Sequence, residues 1–380
     1  MREREQNERN ERGSRRGFFG RLIVGLLSLM AFLGLIAMAM SVLSSYIDPS
    51  KFVWASFFGL AFWEILLFNV IIFVLLLMMW SRKTWIAVLA LLVAVPGIMR
   101  SFSNGKAHDG GDIRIMSYNV QIFHDLYDSK KKALDVVHGV VEMVRENHPD
   151  VLCIQEFGNY MTKTSRSELI RMFGEFVEMP YHYYHKKAYF GGNVIFSKYP
   201  VSAINDNTSF GNENDYGAVA QIDAGVKGKF LVVCSHLTSF RLTKEELSLL
   251  SEPGNTKEEV QEYGKSIVVK LRNAYRKRSR QVNELLADIP HDGRPILLCG
   301  DFNDTPLSYT YHQIKKAGFT DGFVETGKGI GHTYAGKLPL LRIDYIWCNE
   351  QIQPMRFKRL RFKGSDHYPV MLDFKVNHGI

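Results

Sequence analysis

The sequence predicts an α/β domain carried on an apolar helical segment. Three observations predict it. Residues 18–102 are far more apolar than the rest and hold charge-free runs long enough for a bilayer. From residue 113 onward, short apolar runs alternate with stretches of helical spacing. Several of those short runs end in an acid, an amide or an imidazole.

Taken in order, residues 1–17 (MREREQNERNERGSRRG) alternate charge without apolar partners and read as a disordered tail. Residues 18–102 read as a transmembrane region of about three helices, 20–44, 56–80 and 84–101. The first contains a charge-free run over 22–43, about 33 Å as a helix against a hydrocarbon core of about 30 Å. A cleaved signal peptide, with Ala37-Met38-Ala39 as its small-residue site, is the alternative, but its apolar region would be unusually long. The second run, 52–80, is interrupted by Glu64, which lies near one end of a span over 60–79 and can reach the headgroups. The third, 84–99, is short and contains Pro96, with Lys83 and Arg100 placed to snorkel. The positive-inside rule sets the Arg-rich tail and Arg82-Lys83 in the cytoplasm. Three spans then place everything after residue 101 outside it, on the periplasmic or extracellular side, whereas two spans would leave it inside. Residues 103–112 are a polar linker.

Residues 113–380 are long enough for one large core. Strands are expected at 113–120, 151–154, 193–196, 218–222, 230–235, 295–298, 343–348, 355–362 and 368–374, and helices at 129–146, 165–178, 242–250 and 258–286, the last two parted by Pro253-Gly254. Cys153, Cys234, Cys299 and Cys348 each fall in an expected strand without a CxxC pair, which argues for buried thiols and against a disulfide scaffold. The net charge of +8 favours anionic partners without choosing among phosphates, nucleic acid and membrane surfaces.

The chemistry concentrates at strand ends. In LLCGDFNDTP, Asp301 and Asn303 stand at i and i+2 and point the same way from an extended backbone, within reach of one phosphate and one water. The plain alternative is a strand followed by an Asp/Asn turn. Asn119, Glu156 and His236 end other strands, and Asp344 and Asp366-His367 lie toward the C-terminus. Open α/β folds build sites on such a rim. Hard oxygen ligands without paired cysteines suit Mg²⁺ or Mn²⁺ better than Zn²⁺.

Together MSYNV, CIQE, SHLTS, GDFND, RIDYI and GSDHYPV resemble the endonuclease/exonuclease/phosphatase superfamily. That superfamily includes DNase I-like nucleases, abasic-site endonucleases, neutral sphingomyelinases and inositol polyphosphate 5-phosphatases. The resemblance spans nearly all of 113–380, with the motifs in the family's order, and leaves the apolar segment outside it. It implies a four-layer α/β sandwich, two packed mixed β-sheets flanked by helices, and Mg²⁺-dependent phosphoester hydrolysis. By motif, Glu156 looks like the principal metal carboxylate, with Asn119 beside it and Asp366 as a further ligand or an orienting acid. Asp301 resembles the residue that positions or deprotonates the attacking water, and Asn303 the one that holds a phosphate oxygen. His367 resembles the histidine against the scissile phosphate, its other nitrogen held by Asp344. His236 matches the second histidine of the nuclease and sphingomyelinase branches. Asn193, in GGNVIFSKYP, matches a strand that often lines the substrate cleft, although close packing explains Gly191 and Gly192 equally well.

Structural alternatives stand beside these roles: Asn119 as a strand-end cap, and Asp344 as an ion pair with Arg342. His124, His148, His182, His185, His291, His312 and His332 match no motif and read as surface or packing residues. The cations of the helical insert (Lys270, Arg272, Arg276, Lys277, Arg278 and Arg280) read as a solvated face in preference to a nucleic-acid or lipid surface. The expected function is a membrane-anchored phosphoesterase for lipid headgroups or small phosphoesters. The alternatives are an anchored nuclease and a non-catalytic phosphate-binding membrane protein.

Overall fold

The structure, a computed structural model, describes residues 2–123, 130–158, 165–185, 191–203, 216–251, 256–290, 292–336, 338 and 340–377. Five helices open the chain: α1 (Arg2–Leu43), α2 (Pro49–Phe52), α3 (Trp54–Leu60), α4 (Phe62–Met78) and α5 (Thr84–Ser101). The tail expected to be disordered is continuous with α1.

Two helices, Phe19–Tyr46 and Thr84–Ser101, are long and apolar enough to cross a membrane, and α3 with α4 makes a third candidate bent by 66°. The bend divides the second helix expected over 56–80 into two. The chain breaks at Ala61 (φ −85°, ψ 20°), where α3 ends and α4 begins. Small residues let α1, α4 and α5 approach: Ala31 and Ala87 pack with Leu27, Ile72 and Leu76. Asn69, fully buried, donates its amide to the carbonyls of Gly34 on α1 and Ile65 on α4. Such a polar contact ties apolar helices to one another. Glu64 is exposed in the first turn of α4, where the helix dipole favours a carboxylate.

The remainder runs β1 (Ser103–Asn104), β2 (Ile113–Asn119), α6 (Lys130–Asn147), β3 (Val151–Phe157), α7 (Arg166–Phe176), β4 (Tyr181–His185), β5 (Gly192–Ser197), β6 (Val201–Ala203), β7 (Gly217–Asp223) and β8 (Lys229–His236). It continues with α8 (Lys244–Ser251), α9 (Lys257–Asp288), β9 (Ile296–Asp301), α10 (Tyr309–Lys316), β10 (Thr320–Asp321), α11 (Gly322–Thr326), β11 (Lys328–Gly329), β12 (Asp344–Cys348), β13 (Ile352–Arg359) and β14 (Val370–Val376). The expected break at Pro253-Gly254 lies outside the described residues. The strands form two six-stranded mixed sheets, ordered β13-β14-β2-β3-β5-β4 and β10-β12-β9-β8-β7-β6.

Alternation along each strand builds the four layers. Ile113 and Ile115 of β2 face the second sheet together with Val232, Cys234, Leu297 and Cys299. Met116 and Tyr118 face the other way, onto α6 and α7 through Val140, Met143 and Phe173. On the far side, Val233, Leu298 and Trp347 pack on Val282 and Leu285 of α9 and Tyr311 of α10. All four cysteines are free and buried, as their strand positions predict. The polar linker is shorter than expected, because Ser103 and Asn104 pair with Gly329 and Lys328.

The apolar bundle is seated directly on the sandwich. Val53 of the segment joining α2 and α3 packs on Ile267, Leu271 and Tyr275 of α9. Leu307, between β9 and α10, is buried with Met38 (α1), Phe62 (α4) and Ala94 (α5). The insert's cations are therefore not a uniformly solvated face: Arg278 is completely buried and Arg272 lies over the Trp54 ring at 5.4 Å.

Candidate active site

Sheet register assembles the site. Strands β8 and β9 run parallel with His236 beside Asp301, and antiparallel β12 sets Asp344 on Asp301's other side. In the first sheet, β2 and β3 run parallel with Asn119 beside Gln155, so Glu156 follows at the same edge. Two glycines make the approach possible. A Cβ on Gly300 (φ +138°) would lie 1.9 Å from the Ser235 carbonyl oxygen, so only glycine lets β9 approach β8 here. At Gly191 (φ +69°), a Cβ would lie 2.7 Å from the Glu156 carbonyl carbon. That contact backs the bulge between Ile154 and Phe157 that holds Glu156 at φ +55°. Asn303 also has positive φ, +52°. Non-glycine residues held there store strain that recurs at functional sites.

Asp301 is the hub. Its Oδ2 accepts from Asn119 Nδ2 and Asn303 Nδ2, both at 3.0 Å, and its Oδ1 from the Asn303 backbone N–H at 2.8 Å. His236 Nε2 lies 3.8 Å and His367 Nε2 3.7 Å from Asp301 Oδ2. Glu156 Oε1 is 3.5 Å from His236 Nε2, and Asp366 Oδ1 is 3.9 Å from His367 Nε2. His367 Nδ1 donates to Asp344 Oδ2 at 2.9 Å. Asp344 therefore serves His367 and not Arg342, whose guanidinium pairs with Asp321 at 2.6 Å.

Burial pushes the Asp301 carboxyl up to about 7, with His367 pulling it down and Asp344 pushing further up. Burial alone would lower His367, but Asp344 and then Asp301 overcome it and hold the imidazole well above its ordinary value. The pair thus retains a proton near neutral pH, the range suited to a general acid or base.

Every site residue predicted from sequence and named above falls on this edge. Asn193, buried on β5, stands two strands from β2 and opposite His185. It neighbours the Glu156 bulge through the Phe157–Gly192 pair, and its Nδ2 has no hydrogen-bond partner among the described residues. Asn119 does more than cap a strand end: its Oδ1 accepts from Gln121 N while its amide holds Asp301. The His312 ring lies 4.3 Å from that of Tyr46, tilted by 54°, as a packing residue would, while His124 and His291 lie outside the described residues.

A family model described as the Endonuclease/Exonuclease/phosphatase family matches residues 116–367, from β2 to the histidine of the relay. The chain belongs to that family. It is therefore a hydrolase of the nuclease or phosphoesterase type, and members generally use divalent metal ions. A second model, described as a domain of unknown function, matches 21–101, the apolar segment. No curated protein matches the chain. Among solved structures, an endonuclease/exonuclease/phosphatase from Beutenbergia cavernae is 17% identical, with TM-score 0.48, over 70% of this chain and 72% of that one. The human Nocturnin catalytic domain with bound sulfate is 16% identical (TM-score 0.45, 70% and 94%). A 3'-5' exonuclease from Neisseria meningitidis is 15% identical (TM-score 0.46, 69% and 100%).

A divalent ion fits this family site on donor chemistry. Ligand atoms of Asp301, Asp344 and His367 come within 4.8 Å of one another, but the Asp344–His367 hydrogen bond already occupies that trio. Glu156, partly exposed, and the second lone pair of Asn119 Oδ1 are oxygen donors of the kind Mg²⁺ prefers. The sequence reading missed the support around them. Thr333 Oγ1 accepts the backbone N–H groups of Ile343 and Asp344, and Tyr334 bridges to His367 with its ring 5.7 Å away. Asp304 directly follows Asn303 and belongs to that support. It is buried, with Arg278 Nε at 3.2 Å. The second Asp of GDFND was the available signal, but its partner lies on a distant helix.

Proposed function

We propose that the protein is a membrane-anchored, Mg²⁺- or Mn²⁺-dependent phosphoesterase that hydrolyses phosphorylated headgroups at the bilayer surface. One observation carries the reading. Leu307, four residues past Asn303, is buried among the apolar helices, and Ser44 Oγ donates to its carbonyl at 2.8 Å. The catalytic loop is thus seated on the end of the bundle. Around that bundle, large apolar side chains such as Leu26, Phe32, Leu67 and Leu92 are exposed, as lipid-facing residues are. The connection of α1, α4 and α5 supports the orientation read from charge. The tail and Arg82-Lys83 lie at one end of the bundle, and the 44–61 segment and the catalytic domain lie at the other, outside the cytoplasm.

The chemistry follows from the side chains. Glu156 and Asn119, with Asp366 as a further donor, would hold the ion, which when bound would supply Lewis-acid polarisation of the phosphoryl group. Asp301 takes a proton from the attacking water as its oxygen bonds to phosphorus. Asn303 donates both amide N–H groups, to the Leu237 carbonyl and to Asp301, and so braces the base instead of holding a phosphate oxygen through that amide. His367, kept charged by Asp344, offsets the negative charge that grows on the phosphoryl oxygens. His236 gives a proton to the leaving oxygen as the P–O bond breaks. Lipid vesicles and plasmid DNA offered to the full chain in detergent micelles test the reading. Divalent-ion-dependent phosphate or headgroup release is expected from vesicles. DNA cleavage without lipid turnover would make the protein an anchored nuclease.

A further inference from the structure

An open groove of about 710 Å³ lies outside the catalytic cluster, between β11 with the 330–332 segment on one wall and β13 on the other. Lys328 comes from the first wall, and Arg356, Lys358 and Arg359 from the second. No acidic side chain lines it among the described residues. Arg356 pairs with exposed Asp109 at the margin. Arg359, half-buried, has no carboxylate partner among the described residues. It donates to the His332 carbonyl at 2.7 Å and covers the Tyr368 ring at 5.1 Å. Burial and then Arg361 hold Arg359 below its ordinary value, and burial with Arg359 and Arg361 does the same to His332. The sequence continues the basic wall: 356–363 reads RFKRLRFK, with five cations and no acid.

The groove also has an apolar lip. Phe102, the residue directly after α5, is 47% exposed, and Leu340 is 36% exposed. A basic wall joined to an apolar lip at the foot of a membrane-length helix matches an amphiphile with an anionic head. A nucleic-acid duplex has no apolar part to set against Phe102 and Leu340. We propose that this groove binds an anionic phospholipid, its phosphate against Lys328, Lys358 and Arg359 and its acyl chains leaving past Phe102 and Leu340. The inference rests on the reading that α5 ends at a bilayer surface. The occupant would sit beside the catalytic relay, because His332 adjoins Thr333, which holds the Asp344 backbone.

Full-length protein carrying His367→Ala, in neutral detergent, tests the site without lipid turnover. It is titrated with dioctanoyl phosphatidylglycerol, dioctanoyl phosphatidylcholine, inorganic phosphate and a short DNA duplex. Phosphatidylglycerol should bind tightest. Lys328→Gln with Lys358→Gln, both exposed positions whose loss should leave the melting temperature unchanged, should weaken it about 30-fold, at about fivefold per cation. Unchanged phosphatidylglycerol binding in the double variant overturns the proposal. So does equal binding of phosphatidylcholine or phosphate, or a duplex that binds more tightly and is lost in the same variant. Headgroup release by the parent enzyme is measured separately. Turnover without this binding sinks the groove alone, and binding without turnover sinks the phosphoesterase reading alone.

Discussion

At His367 one nitrogen is committed to Asp344, which leaves Nε2 to face Asp301 and the substrate position. Replacing His367 with Ala should lower single-turnover rate about 10²–10⁴-fold with little change in substrate affinity, since the charge it opposes grows only in the transition state. Asp344→Asn should be milder, because the amide oxygen still accepts from Nδ1. A near-normal rate in folded His367→Ala, judged by melting temperature, would contradict this role. Glu156→Gln should raise the metal concentration for half-maximal rate on the order of 100-fold or more. Full wild-type activity in excess EDTA would remove the metal from the mechanism. These residues were legible because the motifs are local in sequence. Their supports were not: Thr333 holds Asp344 through backbone N–H groups, and Arg278 reaches Asp304 from a helix 26 residues earlier in the chain. No spacing rule links such pairs.

Among the elements, β9 depends on a single backbone choice. Gly300→Ala would drive a methyl group into the Ser235 carbonyl at a residue with φ +138°, where neither parallel strand can retreat without breaking the ladder that places His236 beside Asp301. A loss on the order of 3–5 kcal/mol is expected, seen as a large fall in melting temperature or in folded yield. A variant with wild-type melting temperature would show that the strands can part there. Apolar alternation made the central strands readable, and they appear close to their expected bounds. The edge strand β4, with sequence YHYYH, carries no aliphatic alternation and went unread. The bend between α3 and α4 was equally hidden. Over 52–80 the run is apolar on both sides of Ala61 apart from a few residues such as Glu64 and Asn69, and α3 packs on a surface of α9 contributed more than 200 residues later.

Taken whole, the molecule is an apolar helical segment and a catalytic domain that share a core. If α1, α4 and α5 cross a membrane as proposed, a phosphatase fused after the last residue should be active outside the cytoplasm, and a cytoplasmic signal would mean that α5 does not cross. The shared core makes a stronger demand. Leu307, Ile267, Leu271 and Tyr275 are each nearly inaccessible, and residues of the apolar segment are among those packed on them. At about 1.5–3 kcal/mol for a buried large apolar side chain, uncovering four forfeits at most about 6–12 kcal/mol. Net stabilities are about 5–15 kcal/mol, so the loss is of decisive size. Polar ties go as well: Ser279 Oγ loses Asp48, and Arg342 loses the Arg100 carbonyl, two residues from Asp344. A protein comprising only 104–380 should therefore melt at least about 10 °C below the full chain in the same detergent, or aggregate. Its single-turnover rate per folded molecule should also fall, because the loop from Asn303 to Leu307 has lost its seat. Leu307→Ser in the full chain should reproduce part of both effects while the anchor stays in place. Equal melting temperatures and equal rates for the isolated domain and the full chain would show that the anchor merely tethers, and the claim of a shared core would fall.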